Sequence, residues 1–402
     1  MRPSPRVAIT VAMALFLFGL SVVAAASLRA ASSSGVQAAS PPRVSSRLPA
    51  WIAPGARFVV EGWAGPRQRV VLLRGGKPVA AMTSGRLGRF RLRGLAPAPG
   101  IFRLAVRSGD GAAAAGRLRV RPVVLAAVGD VTFGSDVERA IASYGPRYPW
   151  LSVASLLRSA DIATANLEGA VSSRGSPAYG KEYTFRGPPS ALTATARFAG
   201  IDVVSLANNH TLDFGIDAFS DTIWTARRAG MRTVGGGGDL AAARRPAIVE
   251  SGGIRLAFLG YSDVRPLGFT AAAGVPGTAP AVPELIVADV ARARHRADVV
   301  VVWFHWGEER ATWPDRRQQE LGAAALGAGA AVVLGAHPHV LQPIARPGSR
   351  RLVAWSLGNF VFPAHSAGTE ATGVLLVRLD ARGVRTHTFR PARIAGVQPR
   401  LG

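Results

Sequence analysis

Two hydrophobic patterns divide the chain. Up to about Pro122, short runs alternate apolar and polar positions: Phe58-Val-Val, Arg69-Val-Val-Leu-Leu, Val79-Ala-Ala-Met, Phe90-Arg-Leu, Ile101-Phe-Arg-Leu-Ala-Val and Gly116-Arg-Leu-Arg-Val. Turn signals at Pro54-Gly55, Gly75-Gly76, Gly85, Pro99-Gly100 and Gly109-Asp110-Gly111 separate them. This spacing predicts roughly six or seven strands of a small all-β, immunoglobulin-like sandwich over residues 48–122. Beyond Pro122 the runs lose their alternation: Val123-Val-Leu-Ala-Ala-Val, Ile162-Ala-Thr-Ala-Asn, Val203-Val-Ser-Leu, Ile254-Arg-Leu-Ala-Phe-Leu, Val299-Val-Val-Val-Trp-Phe, Ala331-Val-Val-Leu, Leu352-Val-Ala-Trp-Ser-Leu and Val374-Leu-Leu-Val. Strands of this kind are buried on both faces. Helix-like stretches at 134–143, 216–229, 284–297 and 315–328 lie between them. The pattern predicts an α/β domain over 123–396, with helices covering a mixed sheet or a pair of sheets.

The first 47 residues follow neither pattern. Arg2 and Arg6 precede an uncharged stretch from Val7 to Leu28, 22 residues long, with its positive flank on the side that stays in the cytoplasm. Residues 1–30 therefore read as a signal peptide cleaved near Ala24-Ala25-Ala26 or as an uncleaved transmembrane anchor, and either one exports the rest of the chain. Residues 31–47, rich in Ala, Ser and Pro, read as a linker.

Composition adds two constraints. With 48% hydrophobic residues in 402 there is material for a large core, and the absence of cysteine excludes disulfides, thiolate metal sites, cysteine nucleophiles and a lipidated cysteine. The formal charge is +24. Between Arg43 and Pro122, 16 Lys and Arg face only Glu61 and Asp110. On an exported module such a field selects an anionic envelope polymer or anionic lipid headgroups rather than nucleic acid. Arginine-biased composition explains the same count, because only Lys77 and Lys181 among the 48 basic residues are lysine.

Candidate chemistry gathers in five stretches, each closing a predicted strand: Val128-Gly-Asp130-Val, Asn166-Leu-Glu168-Gly, Ala207-Asn-Asn209-His210, Phe304-His305-Trp-Gly-Glu308 and Gly335-Ala-His337-Pro-His339. Polar residues at the C-terminal ends of buried strands converge on one sheet edge. The set provides the carboxylates of Asp130 and Glu168, the amide of Asn209, and the imidazoles of His210, His305, His337 and His339. It suits one or two divalent ions of the zinc, manganese or iron kind. An extended His337-Pro-His339 segment would point both rings the same way. Asp213 is placed to orient an imidazole, Gly307 allows close approach with Glu308 or Glu309 beside His305, and Asn208 and Asn359 fall close to the set. His295, His365 and His387 read as surface residues.

These stretches resemble the capsule-synthesis CapA family, the poly-γ-glutamate biosynthesis proteins similar to calcineurin-type metallophosphoesterases. The resemblance runs from about Val123 to Pro363. It adds Phe185-Arg-Gly-Pro188, Thr211-Leu-Asp213-Phe-Gly215, Gln342-Pro343 and Ser356-Leu-Gly-Asn359-Phe-Val-Phe362 to the motifs above. It implies a four-layer α/β/β/α metallophosphoesterase-like sandwich with a two-metal centre. Glu168 would bridge the ions, Asp130 and His339 would hold the first, and Asn209, His305 and His337 the second. His210 would meet the leaving group or the phosphoryl oxygens. Two ions about 3.5–4 Å apart activate water and neutralise phosphoryl charge. The phosphoesterase pattern has a histidine where this chain has Thr132, so the first ion lacks one nitrogen ligand. The implied role is an exported, metal-dependent phosphoesterase-like hydrolase in synthesis, export or attachment of an anionic capsule polymer, alongside other polymer-synthesis membrane proteins. The alternatives are a non-catalytic accessory protein that binds the polymer and a metal-dependent amide hydrolase that trims it.

Overall fold

The computed structural model describes residues 40–402. The expected signal peptide or anchor, and residues 31–39 of the expected linker, lie outside the described residues. Among the described residues no helix is long and apolar enough to cross a membrane.

The period-two pattern of the basic segment folds into two facing antiparallel sheets. One contains Arg43–Val44, Arg57–Trp63 and Arg89–Leu95; the other orders Lys77–Thr83, Arg69–Arg74, Gly100–Ser108 and Gly111–Val120. On Arg89–Leu95 the pleat turns Phe90 and Leu92 inward and leaves Arg89, Arg91 and Arg93 outside. Pairing begins at Arg43, within the stretch expected as linker, because Arg43 and Val44 add an edge to Trp63 and Gly62. Glycine is required at position 62, since a Cβ there would lie 1.9 Å from the Arg43 carbonyl oxygen.

The larger segment forms two packed sheets. The first runs Arg232–Val234, Val203–Ser205, Ile162–Leu167, Val123–Val131, Ala371–Asp380, Gly383–Ala395 and Gln398–Leu401, with Asn359–Val361 added beside the end of Val123–Val131. Pairing thus continues past residue 396. The second runs Ala247–Ser251, Ile254–Ser262, Val299–His305, Val332–Ala336, Leu352–Ala354 and Ile344–Ala345. Leu125, Ala127, Val299, Val301 and Trp303 fill the space between the sheets. Their neighbours on the opposite pleat face the helices: Ala126 and Val128 pack with residues of Asp136–Tyr144 and Gly215–Ala229, and Val300, Val302 and Phe304 with residues of Pro283–Arg294 and Arg316–Ala328. The expected four-layer α/β/β/α sandwich is therefore formed. Strands covered on both faces needed apolar residues at both parities, which explains the unbroken runs.

Helix ends follow local rules. Arg316–Ala328 starts at a capping box between Asp315 and Gln318 and stops at Gly329, whose φ of 109° a side chain would resist. In the first sheet Val123–Val131, Ile162–Leu167 and Val203–Ser205 run parallel, as do Ile254–Ser262, Val299–His305, Val332–Ala336 and Leu352–Ala354 in the second. The C-terminal edges of both sheets open on the same side.

One apolar cluster unites the sandwich module with the space between the sheets, from Ile52, Phe58 and Val120 to Leu352 and Leu379. At the seam Arg121 makes a bidentate pair with Asp161, both contacts 2.7 Å, and its guanidinium lies 3.5 Å from the Trp51 ring centre. The Ala53 amide donates to the Gly252 carbonyl at 2.8 Å.

Trp303 ties the two sheets together, being fully buried with its indole N–H donating to the Thr164 hydroxyl at 2.9 Å. Trp303→Ala is expected to cost about 3–5 kcal/mol through the cavity it leaves. Trp303→Phe keeps most of the volume and strands the Thr164 hydroxyl, for about 1–3 kcal/mol. Urea denaturation midpoints in the order wild type, Phe, Ala would agree with this; an Ala variant unfolding with wild type would contradict it.

Candidate metal centre

Five loops at the common strand edge carry the polar residues. Asp130 is the penultimate residue of the strand Val123–Val131, where Gly129 lets the chain pass Gly358, whose oxygen would lie 1.8 Å from a Cβ. Glu168 follows Ile162–Leu167, Asn208 and Asn209 follow Val203–Ser205, His305 ends Val299–His305, and His337 and His339 follow Val332–Ala336.

The structure brings the six expected ligands together. Asp130, Glu168 and His339 have ligand atoms within 4.8 Å of one another, as do Glu168, His305 and His337, so the two groups share Glu168. Glu168 Oε1 is 3.8 Å from Nε2 of His305, 3.8 Å from Nε2 of His339 and 3.9 Å from Nε2 of His210. Asn209 joins the second group, its Oδ1 lying 2.7 Å from His305 Nε2.

The expected extended conformation of His337-Pro-His339 is not what forms. His337 and His339 have φ values of 97° and 59°. The turn is imposed by tertiary hydrogen bonds: the His337 amide donates to Asp130 Oδ2 at 3.2 Å, and the Arg310 amide donates to the Pro338 carbonyl at 2.8 Å. Positive φ in a residue with a side chain is worth about 1–3 kcal/mol of strain, tolerated where surrounding contacts over-determine it. The turn sends one histidine to each ligand group.

Second contacts orient the rings. Asn359 Oδ1 lies 2.8 Å from His339 Nδ1, leaving Nε2 toward Glu168. Asn166 Nδ2 donates to Asp130 Oδ1 at 2.8 Å and lies 3.3 Å from His305 Nδ1. Asn208 acts on the backbone, donating to the Leu167 carbonyl at 2.7 Å and accepting the His210 amide at 3.0 Å. Thr132 is buried at the rim of the set, and its hydroxyl accepts the Gly134 amide at 3.3 Å. Glu308 is exposed and contributes only its carbonyl, which accepts the Ala311 amide at 3.3 Å. Gly307, in a left-handed turn at φ 79°, redirects the chain so that Glu309, not Glu308, reaches the histidines.

His210 stands beside the ligand groups with its own support. Its Nδ1 is 2.7 Å from Asp213 Oδ2, which also accepts the Phe185 amide at 2.7 Å. Lys181 pairs with Asp213 Oδ1, donates to the Asn209 carbonyl and comes within 2.9 Å of His210 Nδ1. The Phe185 ring packs on the imidazole at 4.4 Å between centroids, and Phe362 packs on both Phe185 and His339. Asn166, Lys181, Phe185 and Phe362 were not assigned roles from sequence, and Glu309 was read only as an alternative to Glu308. Lys181 did carry a signal, being one of two lysines in an arginine-rich chain.

The electrostatics follow from how the set is buried and charged. Burial, reinforced by the charge of Asp130, pushes Glu168 well above the usual carboxylate range. Burial would raise Asp130 too, but the hydrogen bond and charge of His339, with Asn166 and the His337 amide, hold it below its usual value. Burial and then the charges of His337 and His339 push His305 well down, and burial with the charge of His339 brings His337 to about 3. His339 goes the other way: burial opposes its charge, yet Glu168 and Asp130 raise it to about 10. Desolvation lowers both His210 and Lys181 against the pull of Asp213. Both Glu168 oxygens and His337 Nδ1 are buried with no hydrogen-bond partner. Unpartnered carboxylate oxygens facing three imidazoles fit a divalent ion of the zinc, manganese or iron class.

Comparison with known proteins places this edge within a family. Residues 124–364 match the family described as bacterial capsule synthesis protein PGA_cap. The chain is 30% identical over 279 residues to the PGA biosynthesis protein CapA of Bacillus subtilis (strain 168), covering 68% of this chain and 72% of that one. It is also 30% identical over 281 residues to the capsule biosynthesis protein CapA of Bacillus anthracis, covering 68% of each. Among solved structures, a 5'-nucleotidase precursor from Thermus thermophilus aligns over 68% of this chain and 54% of its own, at 14% identity and a TM-score of 0.40.

Cation binding here must expel the proton that His339 carries beside Glu168. Since His339 is raised to about 10, it keeps that proton through neutral pH, and raising the pH weakens the competition. Affinity for Mn(II) or Zn(II) is expected to increase about tenfold per pH unit for each proton released, from about pH 6 to about pH 8. Calorimetry in buffers of different ionisation enthalpy counts the protons; release of none would refute the assignment.

Proposed function

The chain belongs to the bacterial capsule synthesis family PGA_cap, and we propose that it is an exported, metal-dependent phosphoesterase-like hydrolase that acts in making, exporting or attaching an anionic capsule polymer of the poly-γ-glutamate class. The observation that carries the reading is Glu168, a buried carboxylate without a hydrogen-bond partner, shared by two ligand groups and flanked by His210.

Asp130, Glu168 and His339 would hold one divalent ion, and Glu168, Asn209, His305 and His337 another. Bound there, the ions supply Lewis acidity and neutralise charge on a phosphoryl group. The chain's own residues do the rest. Asp213 fixes His210 through Nδ1 and leaves Nε2 toward Glu168. Burial keeps the imidazole neutral near pH 7, so Nε2 offers a lone pair; once protonated, the ring is stabilised by the Asp213 carboxylate and can return the proton to a leaving oxygen. Phe185 and Phe362 keep water from one side of this proton path.

A second reading, a polymer-binding accessory protein, draws support from the sandwich module. A groove of about 700 Å³ there is lined by Arg57, Arg74, Arg91 and Arg93 and by no carboxylate. Glu61 pairs with Arg91, leaving the other three guanidiniums without an ion pair among the described residues. Export, membrane attachment and association with other polymer-synthesis membrane proteins belong to this proposal, and the character of residues 1–30 supports the first two.

Turnover of an aryl phosphodiester by the Mn(II)- or Zn(II)-loaded protein tests the choice. His210→Ala is expected to lower kcat by about 10²–10⁴ while metal content stays at the wild-type level. Metal bound by a wild type that turns over no phosphodiester would transfer the assignment to the accessory or amide-hydrolase role. A wild type that takes up no divalent metal would remove the metal-centre reading itself.

A further inference from the structure

We propose that Glu309 is an exchangeable ligand of the metal centre, closing its open side with a carboxylate that an incoming oxyanion must displace. The inference rests on the metal-centre reading above and concerns a residue outside the six ligands assigned there.

Geometry is the first support. A carboxylate oxygen of Glu309 and ring nitrogens of His337 and His339 lie within 4.8 Å of one another, the same closeness that defines the two inner groups. Glu309 differs from the inner carboxylates in being exposed, so it approaches from the side that solvent and ligands use. His337, by contrast, is buried and has a ring nitrogen with no hydrogen-bond partner.

The loop that carries Glu309 is clamped to the turn that carries the two histidines. Arg310, at φ 61°, donates its amide to the Pro338 carbonyl at 2.8 Å. Gly307 passes Gln318 so closely that a Cβ would lie 2.6 Å from its Oε1. Gln318 Nε2 then donates to Gln342 Oε1 at 2.9 Å, and Gln342 Nε2 donates to the carbonyls of Ala311 and Trp313 at 2.9 and 3.2 Å. Gln318 and Gln342 are both buried. A loop tied down on both sides of Glu309 holds that exposed carboxylate at the centre's mouth.

The chemistry gives the arrangement a use. Asp130 and Glu168 offset half the charge of two divalent ions, so the open side attracts anions. A carboxylate fixed in the same molecule competes at an effective concentration of about millimolar or more. Dissolved or polymer-borne carboxylates, which bind no better than Glu309 itself, must compete with it and are held about tenfold more weakly. A phosphoryl group, with more charge and more oxygens, displaces it. Glu309 would thus select phosphoryl ligands in a setting where the polymer is itself a polycarboxylate.

The test uses the full chain, with Glu309→Gln compared with wild type and with the neighbouring Glu308→Gln. Mn(II) titration followed by electron paramagnetic resonance is expected to show Mn(II) affinity reduced about tenfold in Glu309→Gln and unchanged in Glu308→Gln. Calorimetric titration of the Mn(II)-loaded proteins with acetate is expected to show binding tightened about tenfold in Glu309→Gln alone, as the internal competitor is removed. Equal Mn(II) and acetate affinities in wild type and Glu309→Gln would overturn the inference while leaving the metal centre standing. A wild type that binds no Mn(II) would instead remove the reading beneath it. The substitution is isosteric at an exposed site, and matching thermal melts before metal addition confirm that the fold is equal.

Discussion

A carboxyl group taken out of water without partners resists ionisation, and the packing of the larger domain places Glu168 in that position, with its pKa pushed well up. To surround it, the protein packs two sheets so that their parallel strands end on one side. It bends the backbone through His337 and His339 into positive φ and buries further polar residues of the site, Asp130, His210 and His305 among them. Such a site is stable when positive charge occupies it. In the metal-free protein that role falls to the proton held near Glu168 and His339, which is why one imidazole is raised while its neighbours are lowered. Fold and ligand chemistry are therefore two sides of one constraint: the sheets provide the enclosure, and the cation relieves the enclosed charge.

The supporting residues extend this logic outward. Asn166 touches both Asp130 and the His305 ring, Asn359 fixes the His339 ring, and Asp213 fixes the His210 ring. His210 and His339 thereby have Nδ1 occupied and Nε2 directed toward Glu168, while the His305 ring is held at both nitrogens, by Asn166 and Asn209. Lys181 occupies a place of its own, a cation packed under the edge of a cation site. Its ammonium binds Asp213 and the Asn209 backbone, so the loop that bears it is joined to the loop bearing His210. An arginine in its place would bring a planar fork into a space that holds a single ammonium, a physical reason for lysine in a chain that otherwise uses arginine.

Much of this was legible in the residues because the governing rules are local. Buried strands such as Val299–His305 announce themselves by apolar residues at both parities, and the helices Gly215–Ala229 and Arg316–Ala328 by composition. Polar residues at strand ends follow from the same pattern, so the six candidate ligands could be gathered in advance. What escaped was set by contacts distant in sequence. The turn at His337 depends on Asp130 and Arg310, and no rule of local propensity predicts it. Lys181 and Phe185 lie in an aperiodic loop, and their shared partner, Asp213, is 32 and 28 residues away. The choice between Glu308 and Glu309 turned on one left-handed glycine. The added edge strand at Arg43 was hidden because two residues are too few to show alternation.

The seam between the sandwich module and the larger domain has its own consequence. A single apolar cluster runs through both, and Arg121 is at once paired with Asp161 and stacked on Trp51. Such a joint resists hinge motion. The arginine-lined groove and the metal centre are carried on one stiff body, like two fittings on a jig, with the distance between them set by the fold. A polyanion gripped in the groove would present to the centre a part of itself chosen by contour length, so reach along the polymer, rather than chance encounter, would decide which link is met.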